Sequence, residues 1–443
     1  MNTNTIKKIY ETMPKSVKYL FAPVFVRTVT NHPVYRSTYA ELDRFQRLSE
    51  EEQKQIQFNL LRQTLCEAYE NVPFYKKRFD SVGFNPYQMT SAEELKQIPL
   101  LTKDQAIEAG EQIYSTAQIH YYESFTGGSS GRALKVLLDQ TSIYKERAFA
   151  NHNLARFGYN PLKSRTLAFW GHNKDDDYYY SPIKNEIVVS PFKLYDESRF
   201  EAVWKGIEKF DPDFVAGYPS AIYQFAKLME RKGKTRKFQA VNFYAENYTE
   251  EMKETIERVM QCRTVANYGH TERAVFAEEY EKGYRFNGLY GYTEFLETDT
   301  ENEYQIVCTG FISRKMPLIR YVTDDVVSFD DEGFAHIKGH KYSEVTLISK
   351  TGEEIFKGAL TMHLDAFKNV KQYQYVQDEP GKAYLDLVCI QPLSDTDQKK
   401  MMDYLTRRCE GLLDIEIRQV EALHLTRRGK YNWAVNNIKK DDK

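Results

Sequence analysis

Four short segments of this 443-residue chain carry side chains suited to phosphate, sugar and nucleobase groups. The first is Ser124-Phe125-Thr126-Gly127-Gly128-Ser129-Ser130-Gly131. Its small residues let backbone N–H groups approach a phosphate, and the hydroxyls of Thr126, Ser129 and Ser130 add donors. No Gly-Lys-Ser/Thr follows, and Leu134 to Leu138 reads as a strand, so this is not a Walker A loop opening a helix. A glycine–serine turn between two strands also reads as an ordinary hairpin. The second segment is Asn267-Tyr268-Gly269-His270-Thr271-Glu272-Arg273, read as a loop after a short strand. It offers a ring for stacking, a hydroxyl, and a carboxylate able to hold Mg²⁺ through oxygen. The third, Pro317 to Val327, contains Asp324 and Asp325. Asp325, placed after a strand, could accept from ribose hydroxyls, although paired Asp residues at a strand end also suit a plain turn. The fourth is Arg427-Arg428-Gly429-Lys430-Tyr431, a cation-bearing loop that also reads as an exposed charged turn.

Composition bounds what these segments can serve. Lys plus Arg total 61 against 63 Asp plus Glu, a formal net charge of −2, which argues against a nucleic-acid partner. Hydrophobic residues at 42 % and charged residues at 28 % fit a globular chain with room for two or three domains. The five cysteines (Cys66, Cys262, Cys308, Cys389, Cys409) are odd in number and lack zinc-ligand spacing. The N-terminus has no signal-peptide pattern, and no run reaches the ~18 apolar residues of a membrane helix. A cytoplasmic protein is expected. Val17 to Val29 reads as a segment docked on the body, with a peripheral membrane contact as the alternative. The run Asp175-Asp176-Asp177-Tyr178-Tyr179-Tyr180 reads as a solvated loop in preference to a cation site.

The elements that must position the four segments are legible in outline. The spacing of Leu60, Leu61, Leu65 and Ala68 predicts a helix over 41–70. Phe214-Val215-Ala216 reads as a buried strand ending at Gly217. Pro219-Ser220 then opens a helix with Ile222, Phe225, Ala226 and Met229 on one face. Met252, Ile256, Val259 and Met260 form a similar stripe before Thr264-Val265-Ala266. Strand–helix alternation from about 120 to 330 argues α/β architecture. Beyond about 340, Tyr373 to Val376 and Tyr384 to Val388 alternate around the turn Asp378-Glu379-Pro380-Gly381, which predicts a hairpin. A helix near 394–410 and a strand at Ile415 to Val420 complete a small α+β unit.

The order and separation of these segments resemble the adenylate-forming superfamily, in particular its phenylacetate–CoA ligase and CapK-type capsular polysaccharide biosynthesis branch. The resemblance begins at Asn71-Val72-Pro73-Phe74-Tyr75 and Pro99-Leu100-Leu101-Thr102-Lys103. It runs through Thr126 to Gly131, Gly217-Tyr218-Pro219-Ser220, Ala245-Glu246 and Tyr268 to Arg273. It closes with Arg320-Tyr321 to Asp325 and Gly429-Lys430. It implies a large multi-sheet α/β N-terminal domain, 1–338, that binds ATP and an acid. It also implies a small mobile α+β lid, 339–443, that delivers the catalytic lysine. In that scheme Thr126, Gly127, Gly128, Ser129, Ser130 and Gly131 cradle the β- and γ-phosphates. Ala245, Glu246, Tyr268 and Gly269 border the nucleotide, with Tyr268 stacked on adenine. Thr271 contacts the α-phosphate, Glu272 holds Mg²⁺, Asp325 binds the ribose, and Lys430 bridges the reacting groups. The implied activity converts a carboxylic acid to its acyl-AMP and passes the acyl group to CoA or to an amine or hydroxyl.

Three departures bear on that implication. The family's Thr-Gly-Asp reads Thr323-Asp324-Asp325 here, adding a negative charge near the nucleotide. The Gly-Arg at the hinge reads Gly339-His340, so His340 stands where a guanidinium usually meets the ribose, and the acidic hinge position falls at Ser343 or Glu344. These changes question the CoA half-reaction more than adenylation. They leave open a nucleotidyltransferase that attaches AMP to a hydroxyl, or a degenerate nucleotide binder. Trp170-Gly171-His172-Asn173 and Phe243-Tyr244-Ala245-Glu246 fall where an acyl pocket would be walled, although each ring also suits plain core packing.

Overall fold

The structure is a computed structural model. It describes residues 27–126, 134–170, 176–181, 184–191, 194, 197–246, 248–340, 345–355, 360, 369–409, 411–424 and 433–438. The expected phosphate loop beyond Thr126, His172, the 341–344 hinge and Lys430 therefore lie outside the described residues. Two compact units are present. One comprises Met1–Arg44, Ile143–Tyr244 and Tyr248–Val265; the other comprises Phe45–Ser142, Ala245–Asn247 and Ala266–Lys443.

The chain opens with α1 (Pro33–Phe45) and α2 (Glu50–Asn71), so the single helix expected over 41–70 is two. Ser49 divides them. Its hydroxyl accepts from the Glu52 N–H while the Glu52 carboxylate accepts from the Ser49 N–H, a capping box that starts a new helix. Next comes α3 (Pro73–Ser81), with proline at its first position, where no N–H is needed. After it, α4 (Lys103–Glu108) starts on a second capping box, Thr102 with Gln105. Strands β1 (Tyr121–Phe125) and β2 (Lys135–Asp139) pair antiparallel, as a hairpin requires. Helix α5 (Ser142–Ala155) follows.

From β3 (Thr166–Phe169), β4 (Tyr179–Ser181) and β5 (Glu186–Val189) onward, strands and helices alternate as expected only as far as Met260. The alternation expected on to about 330 gives way to strands alone over 263–340, because short turns pair them antiparallel and no crossover helix is needed. The sequence continues α6 (Phe200–Phe210), β6 (Phe214–Gly217), α7 (Pro219–Arg231), β7 (Ala240–Phe243), α8 (Glu250–Met260). Within the first unit the strand order is β7-β6-β3-β5-β4, with only β4 antiparallel. Every residue of β3, β5, β6 and β7 is buried, the mark of a parallel sheet covered on both faces. One cover is α7, whose predicted stripe of Ile222, Phe225, Ala226 and Met229 is buried. Phe225 packs on Phe169 of β3 at 5.1 Å between ring centres.

The second unit is built on antiparallel strands. These are β8 (Arg263–Gly269), β9 (Phe276–Tyr280), β10 (Gly283–Phe286), β11 (Gly291–Glu297), β12 (Tyr304–Gly310), β13 (Tyr321–Phe329) and β14 (Ala335–His340). Their order is β11-β12-β13-β14-β10-β9-β8. One core cluster joins Leu61, Leu65, Tyr75, Phe79 and Leu101 to Val136, Val275, Cys308, Leu318 and Tyr321. It fixes the approach to β13. The buried Tyr75 hydroxyl donates to Pro317 O at 2.9 Å and accepts from Ile319 N–H at 3.1 Å. The guanidinium of Arg320, beside β13, meets Glu294 of β11 through two bonds of 3.0 and 2.8 Å and also donates to the carbonyls of Lys96 and Ile98. Leu101 N–H to Arg320 O (2.8 Å) and Val322 N–H to Leu101 O (2.9 Å) clip the start of α4 to the start of β13.

The C-terminal part is a small sheet with one helix. It runs β15 (Leu347–Ile348), β16 (Glu354–Ile355), β17 (Val370–Glu379), β18 (Lys382–Cys389), α9 (Asp395–Cys409), β19 (Asp414–Gln419) and β20 (Ala434–Asn436). The predicted β17–β18 hairpin is present, in the order β19-β18-β17-β20. The fold is mixed α/β, with a small C-terminal sheet, as the sequence predicts.

Candidate active site

Tyr268, Gly269, Glu272 and Asp325 come from β8, the turn that follows it and β13, and this corrects the sequence reading twice. Asn267, Tyr268 and Gly269 complete β8 and are not a loop; the turn begins at His270. Asp324 and Asp325 lie inside β13, not at a strand end. Strand alternation then separates the two carboxylates: Asp325 is buried and Asp324 exposed.

Asp325 accepts a 2.7 Å hydrogen bond from the Tyr268 hydroxyl. Burial first, then the Asp325 charge, raises the Tyr268 phenol well above its ordinary range, so it remains a donor. The ring meets His270 and Phe286 edge-on at 6.4 and 6.5 Å. Directly across the ladder from Asp325 stands the backbone of His340 in β14. The position where the sequence departs from a guanidinium is thus beside the expected ribose acceptor; the His340 side chain lies outside the described residues.

Glu272 sits in the turn after β8, with Thr271 partly buried beside it. One carboxylate oxygen lies 3.1 Å from His270 Nδ1 and the other accepts from the Tyr321 hydroxyl at 3.2 Å. Burial opposes the Glu272 charge, but His270 and Lys103 outweigh it and hold the carboxyl down at about 2. Burial likewise disfavours a His270 cation, yet Glu272 and Cys308 raise the imidazole well above its usual value. His270 Nε2 faces the Cys308 sulfur at 4.0 Å, and burial raises that thiol. The anion at Glu272 is therefore built in by its surroundings. A carboxylate held anionic in this way suits a hard cation such as Mg²⁺, with the other ligands coming from phosphate and water. Among the described residues there is no cluster of three or more His, Cys, Asp or Glu side chains able to hold a metal alone.

Close backbone contact holds this turn in place. A Cβ on Gly291 would lie 2.5 Å from Ala274 O, and one on Gly310 would lie 2.7 Å from Ala274 Cα. Only glycine lets β11 and β12 accept the turn at that distance. Two residues next to the site in the chain, Arg273 and Arg320, take left-handed backbone at φ of 52° and 50°. Such conformations are held by surrounding structure and cluster at functional sites. Ala245 and Glu246 follow β7.

Lys103 is a participant the sequence reading used only as part of a motif. Burial lowers its ammonium, and the charges of Asp324, Glu272 and Asp104 work to restore it. The extra carboxylate of Asp324 thus acts on a cation, on the face of β13 opposite Asp325. The signal available was the lysine in Leu101-Thr102-Lys103, but two of its partners, Glu272 and Asp324, lie more than 160 residues away. Thr126, buried at the end of β1, closes the hairpin: its hydroxyl accepts from Leu134 N–H at 2.9 Å and keeps its own proton to donate. Gly127, Gly128, Ser129, Ser130, Gly131 and Lys430 lie outside the described residues.

Comparison with known proteins follows the same lines. Crystal structures of 2-hydroxyisobutyryl-CoA ligase align over 88 % of this chain and 90 % of that enzyme. One, in the postadenylation state with R3-HIB-AMP, has a TM-score of 0.51 at 14 % identity. Another, with 2-HIB-AMP and CoA in the thioesterification state, has a TM-score of 0.53 at 16 % identity. The fold is that of the adenylate-forming ligases. Residues 347–437 match the CapK C-terminal domain family. Protein CapK of Staphylococcus aureus is 23 % identical over 413 residues, 86 % of this chain and 90 % of that protein. Phenylacetate-coenzyme A ligase of Pseudomonas putida is 24 % identical over 317 residues, 65 % of this chain and 69 % of that enzyme. The chain is thus similar to CapK and, more distantly, to the phenylacetate–CoA ligases. No described helix is long and apolar enough to cross a membrane.

Proposed function

We propose that this protein is an ATP- and Mg²⁺-dependent ligase that activates a carboxylic acid as its acyl-adenylate and passes the acyl group to an acceptor, CoA among the candidates. A carboxylate is a poor acyl donor because its leaving group would be oxide; as an acyl-AMP the leaving group is a stable phosphate monoester. Charge builds at the α-phosphate during the exchange, so catalysis is chiefly positioning and electrostatic stabilisation. The observation that carries the reading is the pairing of a buried Asp325, oriented by Tyr268, with a Glu272 carboxyl held at about 2. In this reading Asp325 takes the ribose hydroxyls and Tyr268 stacks on adenine. Glu272 would hold Mg²⁺, which would screen the phosphate charge when bound. Thr271 meets the α-phosphate. Thr126 and the 127–131 loop take the outer phosphates, and Lys430, on a lid spanning 339–443, bridges carboxylate and α-phosphate as a point charge. The distant relation to phenylacetate–CoA ligases supports the same chemistry.

The deciding experiment is ATP–pyrophosphate exchange across a panel of carboxylic acids. Exchange that depends on an acid is expected. Exchange without any acid, or transfer of AMP to a hydroxyl acceptor, would overturn the acid-activating role.

A further inference from the structure

The parallel sheet of the first unit ends in a row of aromatic residues. Phe169, Gly217 and Phe243 stand level in neighbouring strands β3, β6 and β7. The next residue in each chain is Trp170, Tyr218 or Tyr244. Trp170 meets Tyr218 edge-on at 6.1 Å and Tyr244 at 5.3 Å, with the Lys184 ammonium 5.4 Å from the indole. Ligands of open α/β sheets bind outside the carboxyl ends of the parallel strands, where this row lies.

The row is not a plain hydrophobic wall. The indole Nε1 of Trp170 is buried and has no hydrogen-bond partner among the described residues. Burial, eased by the Arg147 charge, raises the Tyr244 phenol above its ordinary range, so it stays protonated and able to donate. One step back along the strands the polarity is sharper. Asn242 is 1 % exposed, and neither its amide oxygen nor its amide nitrogen has a partner among the described residues. Level with it on the same sheet face stand Ala216 and Ala168, whose methyl groups fill little space. The opposite face is different, being sealed by Phe169 on Phe225 and Phe225 on Phe200. Burying an amide with both ends unsatisfied opposes folding, and natural interiors rarely do it without reason.

We propose that Asn242, with Trp170 Nε1 and the Tyr244 hydroxyl, reads a hydroxyl- or amide-bearing acyl group, so that the acid activated here is polar and not a simple aryl or alkyl acid. This rests on the acid-activating function above and names its substrate class. An apolar acyl group would leave the Asn242 amide and the indole N–H unpaired, whereas a hydroxyl or amide satisfies them. A site built to hydrogen-bond its substrate rejects the analogue that cannot.

The test is ATP–pyrophosphate exchange by the full-length chain with gluconate, N-acetylglycine, hexanoate and phenylacetate. The polar acids are expected to exceed the apolar ones in kcat/KM by about tenfold or more. Asn242→Leu should level or reverse that ratio, and Trp170→Phe should lower only the polar acids. Hexanoate or phenylacetate as the preferred acid, or an unchanged ratio in Asn242→Leu, would overturn the assignment. Thermal midpoints separate failure of the pocket from failure of the reaction. A rise with gluconate or N-acetylglycine in the wild type but not in Asn242→Leu supports the pocket even if no acid drives exchange. No rise with any acid, together with no exchange, overturns it. The unliganded Asn242→Leu protein should melt at or above the wild-type midpoint, since it loses only an unpaired amide.

Discussion

The bond between Tyr268 and Asp325 permits a quantitative test of the nucleotide site. If Asp325 holds the ribose, Asp325→Ala removes a charge-assisted hydrogen bond worth about 1.5–3 kcal/mol. At 1.4 kcal/mol per factor of ten, ATP affinity should fall about 10- to 150-fold. Tyr268→Phe keeps the ring for stacking and removes the hydroxyl that fixes the carboxylate at 2.7 Å. Its effect should be smaller, about three- to tenfold, because Asp325 keeps its charge but loses its orientation. The hydroxyl acts through the carboxylate, so the double variant should bind ATP no more weakly than Asp325→Ala alone, within about twofold. Titration calorimetry with ATP and with AMP on the four proteins gives the full cycle. Additive losses would separate Tyr268 from Asp325. An unchanged affinity in Asp325→Ala, with only the melting temperature altered, would reduce the pair to a structural bond and remove the ribose role.

Arg320→Met should cost about 3–5 kcal/mol, because it leaves Glu294 charged and buried; Arg320→Met with Glu294→Leu should recover most of that in urea unfolding, and a mild single-variant loss would refute the clamp. Gly310→Ala should cost about 1–3 kcal/mol and depress exchange, since its Cβ meets Ala274 Cα at 2.7 Å; wild-type values in both would show that the 270–275 turn is not seated by that contact. Asp324→Gly should shift ATP affinity by less than about threefold, because Asp324 is exposed on the strand face away from Asp325; a tenfold gain would show that its charge does oppose the nucleotide. Lys430→Ala should abolish exchange while calorimetry still shows ATP binding, and exchange at the wild-type rate would remove the lysine from the mechanism.

The strand–helix alternation up to α8 was legible because buried parallel strands and amphipathic helices write different periods into the sequence; the antiparallel run β8 to β14 that replaces it was not. The stripes on α7 and α8 lie where the spacing places them. The missed boundary at Ser49 was legible too: Ser49-Glu50-Glu51-Glu52 has the form of a capping box, and apolar spacing alone obscured it. The site was harder. Residue types suggested what Tyr268, Glu272 and Asp325 could do, but not that two of these positions lie within strands. Strand membership decides which neighbours face which side, and it sets Asp324 apart from Asp325. Nothing local marks Tyr75 as the clamp on Pro317 and Ile319, 242 and 244 residues away. Such contacts exist only once the core has closed.

These long-range clamps give the sequence motifs a physical meaning that chemistry alone does not supply. Tyr75 and the Leu101–Lys103 segment never needed to touch a nucleotide to belong to the pattern. Tyr75 fixes the chain entering β13 through Pro317 and Ile319, and Leu101 brackets Arg320 and Val322 through two backbone bonds. Arg320, in left-handed backbone, ties the same point to Glu294 and to the carbonyls before α4. Tyr321 then reaches Glu272, and Asp325, four residues on, reaches Tyr268. A single strand start thus sets the positions of both the expected metal-holding carboxylate and the expected ribose acceptor. A displacement there moves the two together, so Arg320 and Tyr75 should govern catalysis through geometry. The polar residues that differ from the usual pattern, Asp324 and His340, sit on β13 and β14 beyond that anchor, where substitution changes charge without releasing the strand.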